Sequence, residues 1–480
     1  GFNVANTLPN QFYLLLAGGA LNAILVPQIV RAKMRPDGDE FVNRIITLTL
    51  AVLAVATVTL MLAAPLLVRV YAKFDDPAAL RLTTIFAVIC LPQLFFYGLF
   101  TILGQVLNAN GRFAGFMWAP ALANVVAVAG LVWFMQAGYP SGASPADWTP
   151  AMIGILAGTA TLSIAIQALA LVIPLRRIGF RYRPVWGVRG HGLGEVSQVA
   201  KWTFGSLVVS QLGYVVTSRV LTGATERGKV LGESVSGLAA YQNAFLIVML
   251  PHGLITVSLV TALYTSLSEA ASRDDTRQVR RYHDQGLRLP AVIIVPGCVF
   301  LAVLAPYITS TFFFSNSLDQ TRAIAVVLSV IAWMAIPMSW TYLNDRVFYA
   351  HEMTWMSFRL QCVTTGVATI GAVVALQVEP ARTAMVLGAG QVLAFVVSAA
   401  VGFWVLRRMI GNLGLRSTAR TYVLLLLPAI VTAVGLLLAI GRLFPDLGET
   451  RGASGLLAGG LVLGAAGAIQ LGVTWGVASL

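Results

Sequence analysis

Thirteen apolar stretches separated by short polar turns account for nearly all of the 480 residues. A helix needs about 20 consecutive, mostly apolar residues to cross the hydrocarbon core of a bilayer. Residues 45–68, 152–174, 202–221 and 289–314 reach that length with one charge or none. The pattern predicts an all-α polytopic membrane protein. Its spans read as 5–30, 45–70, 80–107, 113–135, 151–175, 202–221, 238–267, 289–314, 321–348, 356–376, 383–406, 421–443 and 456–480.

Composition agrees with the pattern. Hydrophobic residues make up 58% of the chain and charged residues 11%, against roughly 25% charged in a soluble domain. The net charge of +13 does not point to nucleic acid, because the basic residues sit in short loops between spans rather than gathered on one binding face. They read as a topology signal. Alternate loops carry 22 and 10 Lys and Arg, and basic loops are retained in the cytoplasm. The richer set, with the basic loop 176–201, is expected inside, which places Gly1 outside and Leu480 inside. The chain starts at Gly1 without a basic leader region, so the reading includes a missing cytoplasmic N-terminus and one preceding span, making fourteen. Cys90, Cys298 and Cys362 lie in apolar stretches without metal or disulfide spacing and read as packing residues.

A repeat is visible within the chain. Gln105-Val-Leu-Asn-Ala-Asn110 and Arg346-Val-Phe-Tyr-Ala-His351 each end a span, at an offset of 241 residues. Gly19-Ala-Leu21 and Gly253-Leu-Ile255 sit mid-span at an offset of 234. Two similar offsets suggest homologous halves, as in transporters that alternate access about a midplane site marked by interrupted helices; chance likeness between apolar segments is the alternative. The reading divides the chain into an N-lobe 1–175, a linker 176–201, a C-lobe 202–406, a loop 407–420 and a terminal helix pair 421–480.

Several ordered motifs carry a family resemblance. They are Asn3-Val-Ala-Asn-Thr-Leu-Pro-Asn10 with Leu16-Ala-Gly-Gly-Ala-Leu-Asn-Ala-Ile-Leu-Val-Pro27, Phe95-Phe-Tyr-Gly98 with Gly104-Gln-Val-Leu-Asn-Ala-Asn-Gly-Arg-Phe113, Ala119-Pro-Ala-Leu-Ala-Asn124, Val208-Val-Ser-Gln211, Pro251-His-Gly253 and Phe348-Tyr-Ala350. The chain resembles the MurJ (MviN) lipid II flippases of the superfamily that includes the multidrug and toxin extruders, in an actinobacterial-type variant. The resemblance implies fourteen helices in two six-helix lobes related by a pseudo-two-fold, with a final pair forming a tail groove, in a V-shaped bundle that alternates between inward-open and outward-open states. It also implies movement of the undecaprenyl-pyrophosphate-linked peptidoglycan precursor from the inner to the outer leaflet of a bacterial plasma membrane, with lipid II, membrane lipids and cell-wall synthesis proteins as partners. Family arginines are absent: Tyr13 and Leu14 stand where one often follows Pro-Asn, and Phe245 and Leu246 replace an Asp-Arg pair.

Candidate site residues follow from polarity inside the spans. Asn6, Asn10 and Tyr13 recur on one helical face and either line a cavity or make interhelical hydrogen bonds. Gln211, and Gln242 with Asn243, invite the same two readings. Arg219 lies within a span near its outer end, where an intramembrane charge marks function unless it snorkels to the interface. His252 follows Pro251 mid-span, and an imidazole there can couple a proton to transport or simply be hydrogen-bonded. Asp345 and Arg346 near a cytoplasmic helix end read as an ion pair or part of a gate. Gly190-His-Gly-Leu-Gly194 reads as a linker, and the cluster 273–288 as a solvated face or a contact with anionic headgroups. Gly455/Gly459, Gly460/Gly464 and Gly472/Gly476 form small-residue spacings for close packing or a groove.

No nucleophile-base constellation or metal cluster is apparent, so an enzyme is not expected. No cofactor is expected beyond a coupling ion or the membrane potential. The alternatives are export of another lipid-linked oligosaccharide or a drug, and a non-transporting scaffold of wall synthesis.

Overall fold

The computed structural model describes residues 1–16, 38–110, 112–139, 144–186, 197–232, 235–448 and 452–479. The Gly19 to Leu21 repeat, most of the predicted span 5–30 and the linker at Gly190 to Gly194 lie outside them. The described residues are helical, with no strand, and twelve of their helical segments are long and apolar enough to cross a membrane. Each helix satisfies its own backbone groups, the condition for a spanning segment in lipid.

The chain forms two compact units, 1–211 and 212–480. The first contains α1 (Phe2–Leu16), α2 (Gly38–Leu62), α3 (Ala64–Tyr71), α4 (Pro77–Cys90), α5 (Gln93–Ala109), α6 (Phe113–Gln136), α7 (Pro150–Ala170) and α8 (Val172–Arg177). Helix α9 (Ser197–Leu231) passes from the first unit into the second. The second continues with α10 (Leu238–Pro251), α11 (Ser258–Ser272), α12 (Thr276–Val303), α13 (Ala305–Phe312), α14 (Leu318–Ile331), α15 (Ala335–Ala350), α16 (Thr354–Ala375), α17 (Pro380–Ile410), α18 (Leu415–Leu443) and α19 (Gly452–Ser479).

Local chemistry sets the element ends. Asp76 accepts from Ala78 N with Pro77 opening α4, and Ser317 with Gln320 makes a reciprocal capping box on α14, satisfying donors that a helix start leaves unpaired. Several predicted spans are interrupted, three of them near mid-span. Pro92 breaks 80–107 between α4 and α5, a single 3-10 turn at Ala332–Met334 separates α14 from α15, and a π-helical turn, His252–Val257, joins α10 to α11. Pro251 cannot donate to the helical ladder, and π-turns of this kind concentrate at functional positions.

The element order repeats. Helices starting at Ala64, Pro77 and Phe113 recur at Ala305, Leu318 and Thr354, each displaced by the interval that separates Gln105 from Arg346.

Packing in the first unit centres on Val42, Ile46 and Leu53 of α2 against Ile102, Leu103 and Leu107 of α5. In the second, Val347 and Phe348 of α15 meet Met356 and Leu360 of α16 and Leu406 of α17. Lipid tails are as apolar as these side chains, so van der Waals fit rather than water exclusion holds such helices together. Helices α16 and α17 approach backbone to backbone, since a Cβ on Gly371 would stand 2.7 Å from the Cα of Gly390. The last two helices are tied to the second unit by Tyr422, whose hydroxyl donates to Leu287 O (2.9 Å) and accepts from Trp340 Nε1 (2.7 Å), and by Trp475 Nε1 donating to Val292 O (2.8 Å).

Three expectations are corrected. Of the α19 glycines, a Cβ added at Gly459 would run into Thr311, while one added at Gly460, Gly464, Gly472 or Gly476 would meet nothing within 4 Å among the described residues; of the two readings, close packing therefore applies at Gly459, and spacing alone cannot tell which glycines face a helix. Cys362 is exposed, unlike Cys90 and Cys298, because its face of α16 points away from α17. Helix α9 runs to Leu231, ten residues past the predicted span end at Leu221, so Arg219 lies well inside the helix.

Candidate functional site

In the first unit the polar face of α1 meets a matching face of α5. Gln93, Tyr97 and Thr101 recur every four residues, which stacks them on one side of that helix. Gln93 Nε2 donates to Asn6 Oδ1 at 3.0 Å and to Thr161 Oγ1 of α7 at 3.3 Å, and Thr161 donates to Ile89 O at 2.8 Å. Tyr13 bonds Thr101 through their hydroxyls and packs against the Tyr97 ring, centroids 5.4 Å apart. Asn6 and Tyr13 therefore make interhelical bonds, while Asn10 on the same face is exposed.

Gln211 is buried, and its amide donates to Gln11 Oε1 at 2.7 Å, leaving its own Oε1 without a partner among the described residues. In the second unit Gln242 donates to Tyr214 OH at 2.8 Å; Asn243 is half-buried beside it, and Arg219 is exposed.

The densest polar arrangement surrounds the π-turn. His252 is buried, and Ser339 of α15 supplies the partner the sequence did not reveal. Ser339 Oγ donates to Ala335 O at 2.7 Å and lies 2.8 Å from Thr256 Oγ1 and 3.4 Å from His252 Nδ1. A serine has one proton to give. With that proton on Ala335 O, Ser339 accepts from Thr256 and from Nδ1–H, and Nε2 is left as the basic nitrogen of the imidazole.

Tyr342 connects this cluster to Arg346. Its ring stands edge-on to His252, centroids 5.8 Å apart, and its hydroxyl accepts from Arg346 Nη2 at 2.6 Å. The guanidinium also lies 4.6 Å from the Tyr342 ring centroid, 5.5 Å from Tyr264 and 5.7 Å from Tyr349, distances at which a cation is drawn to an aromatic face. Of the two readings for Asp345 and Arg346, a close ion pair is not found among the described residues: neighbours in sequence point to different sides of a helix, so the Arg346 charge acts on Asp345 only from a distance. Asp345 lies instead beside Ser357 of α16, with Oδ1 buried and making no hydrogen bond among the described residues.

Sequence reading missed Tyr264, Thr256, Ser339 and Gln93. Tyr342, Arg346 and Tyr349 at i, i+4 and i+7 were a readable stripe; the residues on other helices carried no local signal. Among the described residues no group of His, Cys, Asp and Glu is placed to hold a metal.

The family model for "Lipid II flippase MurJ" matches residues 1–447. The chain belongs to the MurJ family. A probable lipid II flippase MurJ of Rhizobium tropici is 23% identical over 76% of this chain and 67% of its own length. The lipid II flippase MurJ of Burkholderia cenocepacia is 26% identical over 70% and 63%. The matches thus span about two thirds of these MurJ relatives. A solved MurJ structure in an inward closed conformation superposes with a TM-score of 0.68 at 15% identity, covering 98% of this chain and 90% of that one. An inward-facing multidrug MATE transporter of the MOP superfamily gives 0.68 at 15% identity, over 85% and 90%. Both share the fold, and the MurJ motifs set the chain apart within it.

Proposed function

We propose that this protein flips lipid II from the inner to the outer leaflet of the bacterial plasma membrane by alternating access, and performs no covalent chemistry. The match to the MurJ family over residues 1–447 carries the reading. Interrupted apolar helices, the usual setting of transporter sites, support it.

In this reading Asn10 is the head-group candidate of the first unit and Asn243 and Arg219 are those of the second, and Asn6, Tyr13, Gln211 and Gln242 hold their helices through the hydrogen bonds described. His252, Asp345 and Arg346 form the coupling element, with Tyr342 between His252 and Arg346. Basic loops face the cytoplasm, and the cycle draws on an ion or the membrane potential, because two states must differ in ligand or ion affinity for the cycle to have direction.

A second reading, export of a cationic drug, draws on the MATE transporter that superposes with the same TM-score over less of the chain, though fold does not fix substrate. Competition separates the two. Lipid II should displace a bound fluorescent lipid II analogue, whereas ethidium should not; displacement by ethidium alone would replace the flippase reading with drug export.

A further inference from the structure

Helix α8 ends where the apolar span Pro150–Arg177 gives way to charge. Gly179, at φ +81°, closes it in the left-handed conformation glycine favours. Phe180 N donates to Leu175 O and Gly179 N to Arg176 O, both at 3.1 Å, so these carbonyls are satisfied within the turn. The chain then runs back along α2. Arg183 N donates to Asn43 Oδ1 at 3.0 Å, Val185 N to Thr47 Oγ1 at 3.1 Å, and the Tyr182 hydroxyl lies 2.9 Å from Thr47 Oγ1. Thr47 gives its own proton to Asn43 O at 2.8 Å, so Tyr182 is the donor in its pair.

This fixed return segment borders a half-open cavity of about 570 Å³, within the range of small-molecule sites. Leu103, Val172, Leu175 and Phe180 form its apolar wall, and Arg176, Arg181 and Tyr182 its rim. Both arginines are exposed, and neither has an acidic partner among the described residues. A soluble anion would satisfy the rim and leave the wall uncovered; a neutral chain would do the reverse.

We propose that this cavity binds one anionic phospholipid, with its phosphate between Arg176 and Arg181 and the first part of an acyl chain on Leu103, Val172, Leu175 and Phe180. Basic pockets at the cytoplasmic side of membrane helices hold lipid phosphates in this way. The site lies at the end of a span in the first unit and uses none of the residues assigned to transport.

The test is native mass spectrometry of the delipidated full-length protein with phosphatidylglycerol, phosphatidylcholine or inorganic phosphate. Each basic residue near an anionic lipid is worth roughly a factor of five, so R176Q/R181Q should weaken phosphatidylglycerol binding about thirty-fold. Val172→Trp, which fills the wall and keeps the charges, should weaken it too. Phosphatidylcholine should bind no better to the native protein than to R176Q/R181Q. Equal binding of the two lipids, unchanged affinity in R176Q/R181Q, or displacement of the lipid by inorganic phosphate or by a polyprenyl pyrophosphate would each overturn the proposal.

Discussion

Replacing Gly371 by alanine tests the packing of the second unit where two helix backbones meet directly. The added Cβ would lie 2.7 Å from Gly390 Cα, where ordinary contacts fall at 3.4–4 Å. The obstacle is backbone, so relief requires α16 and α17 to separate by about 1 Å, loosening dispersion contacts along both helices. Overpacking of this kind costs about 1–3 kcal/mol, offset by the roughly 0.5–1 kcal/mol alanine gains over glycine in a helix. A net loss of about 1 kcal/mol, and at most about 2.5 kcal/mol, is expected, read as a lowered unfolding midpoint of the purified protein in mixed micelles. Gly390→Ala meets the reciprocal clash, 2.9 Å from Gly371 Cα, and one separation relieves both. The double variant should therefore lose less than the two singles together, by more than the roughly 0.5 kcal/mol scatter seen for independent sites. Unchanged or raised stability in Gly371→Ala, or simple additivity, would refute the close-approach argument.

Other perturbations address the polar clusters. His252→Gln keeps a polar side chain but cannot titrate, so it should flatten the pH dependence of transport; an unaltered pH profile would remove His252 from the coupling element. Arg346→Lys retains the charge but not the planar guanidinium and should cut transport several-fold in the proteoliposome assay, whereas Tyr264→Phe, which keeps the ring face beside Arg346, should transport like the native protein. Gln93→Leu removes the donor to Asn6 and Thr161 and should destabilise by about 0.6–2 kcal/mol, the range for interhelical hydrogen bonds in membranes; an unchanged midpoint would mean that the bond contributes nothing.

The spans were legible because a bilayer demands length and apolarity, two properties that a single sequence displays directly. The interruption after Pro251 was not read, although proline removes a backbone donor wherever it falls, because 238–267 is apolar throughout and reads as one span. Partners were not legible. Nothing near His252 announces Ser339, 87 residues later, and Asp345 beside Arg346 suggested a pair that helix geometry turns apart. Glycine spacing left packing and groove undecided at α19, and the close pair Gly371 and Gly390 was overlooked, because only the facing helix decides whether a missing Cβ is used. Of the two short motifs that suggested a repeat, one shares its offset with the helix starts, since those at Ala64, Pro77 and Phe113 return at Ala305, Leu318 and Thr354.

The most direct measurement is lipid II translocation in proteoliposomes containing the full-length protein, with and without an imposed membrane potential, scored by head-group accessibility on each side. The account predicts protein-dependent appearance of head groups on the far side, at a rate that responds to the imposed potential or ion gradient and falls in Arg346→Lys. Folded protein that leaves lipid II on its original side under every gradient would contradict it, and would favour another exported substrate or a scaffolding role.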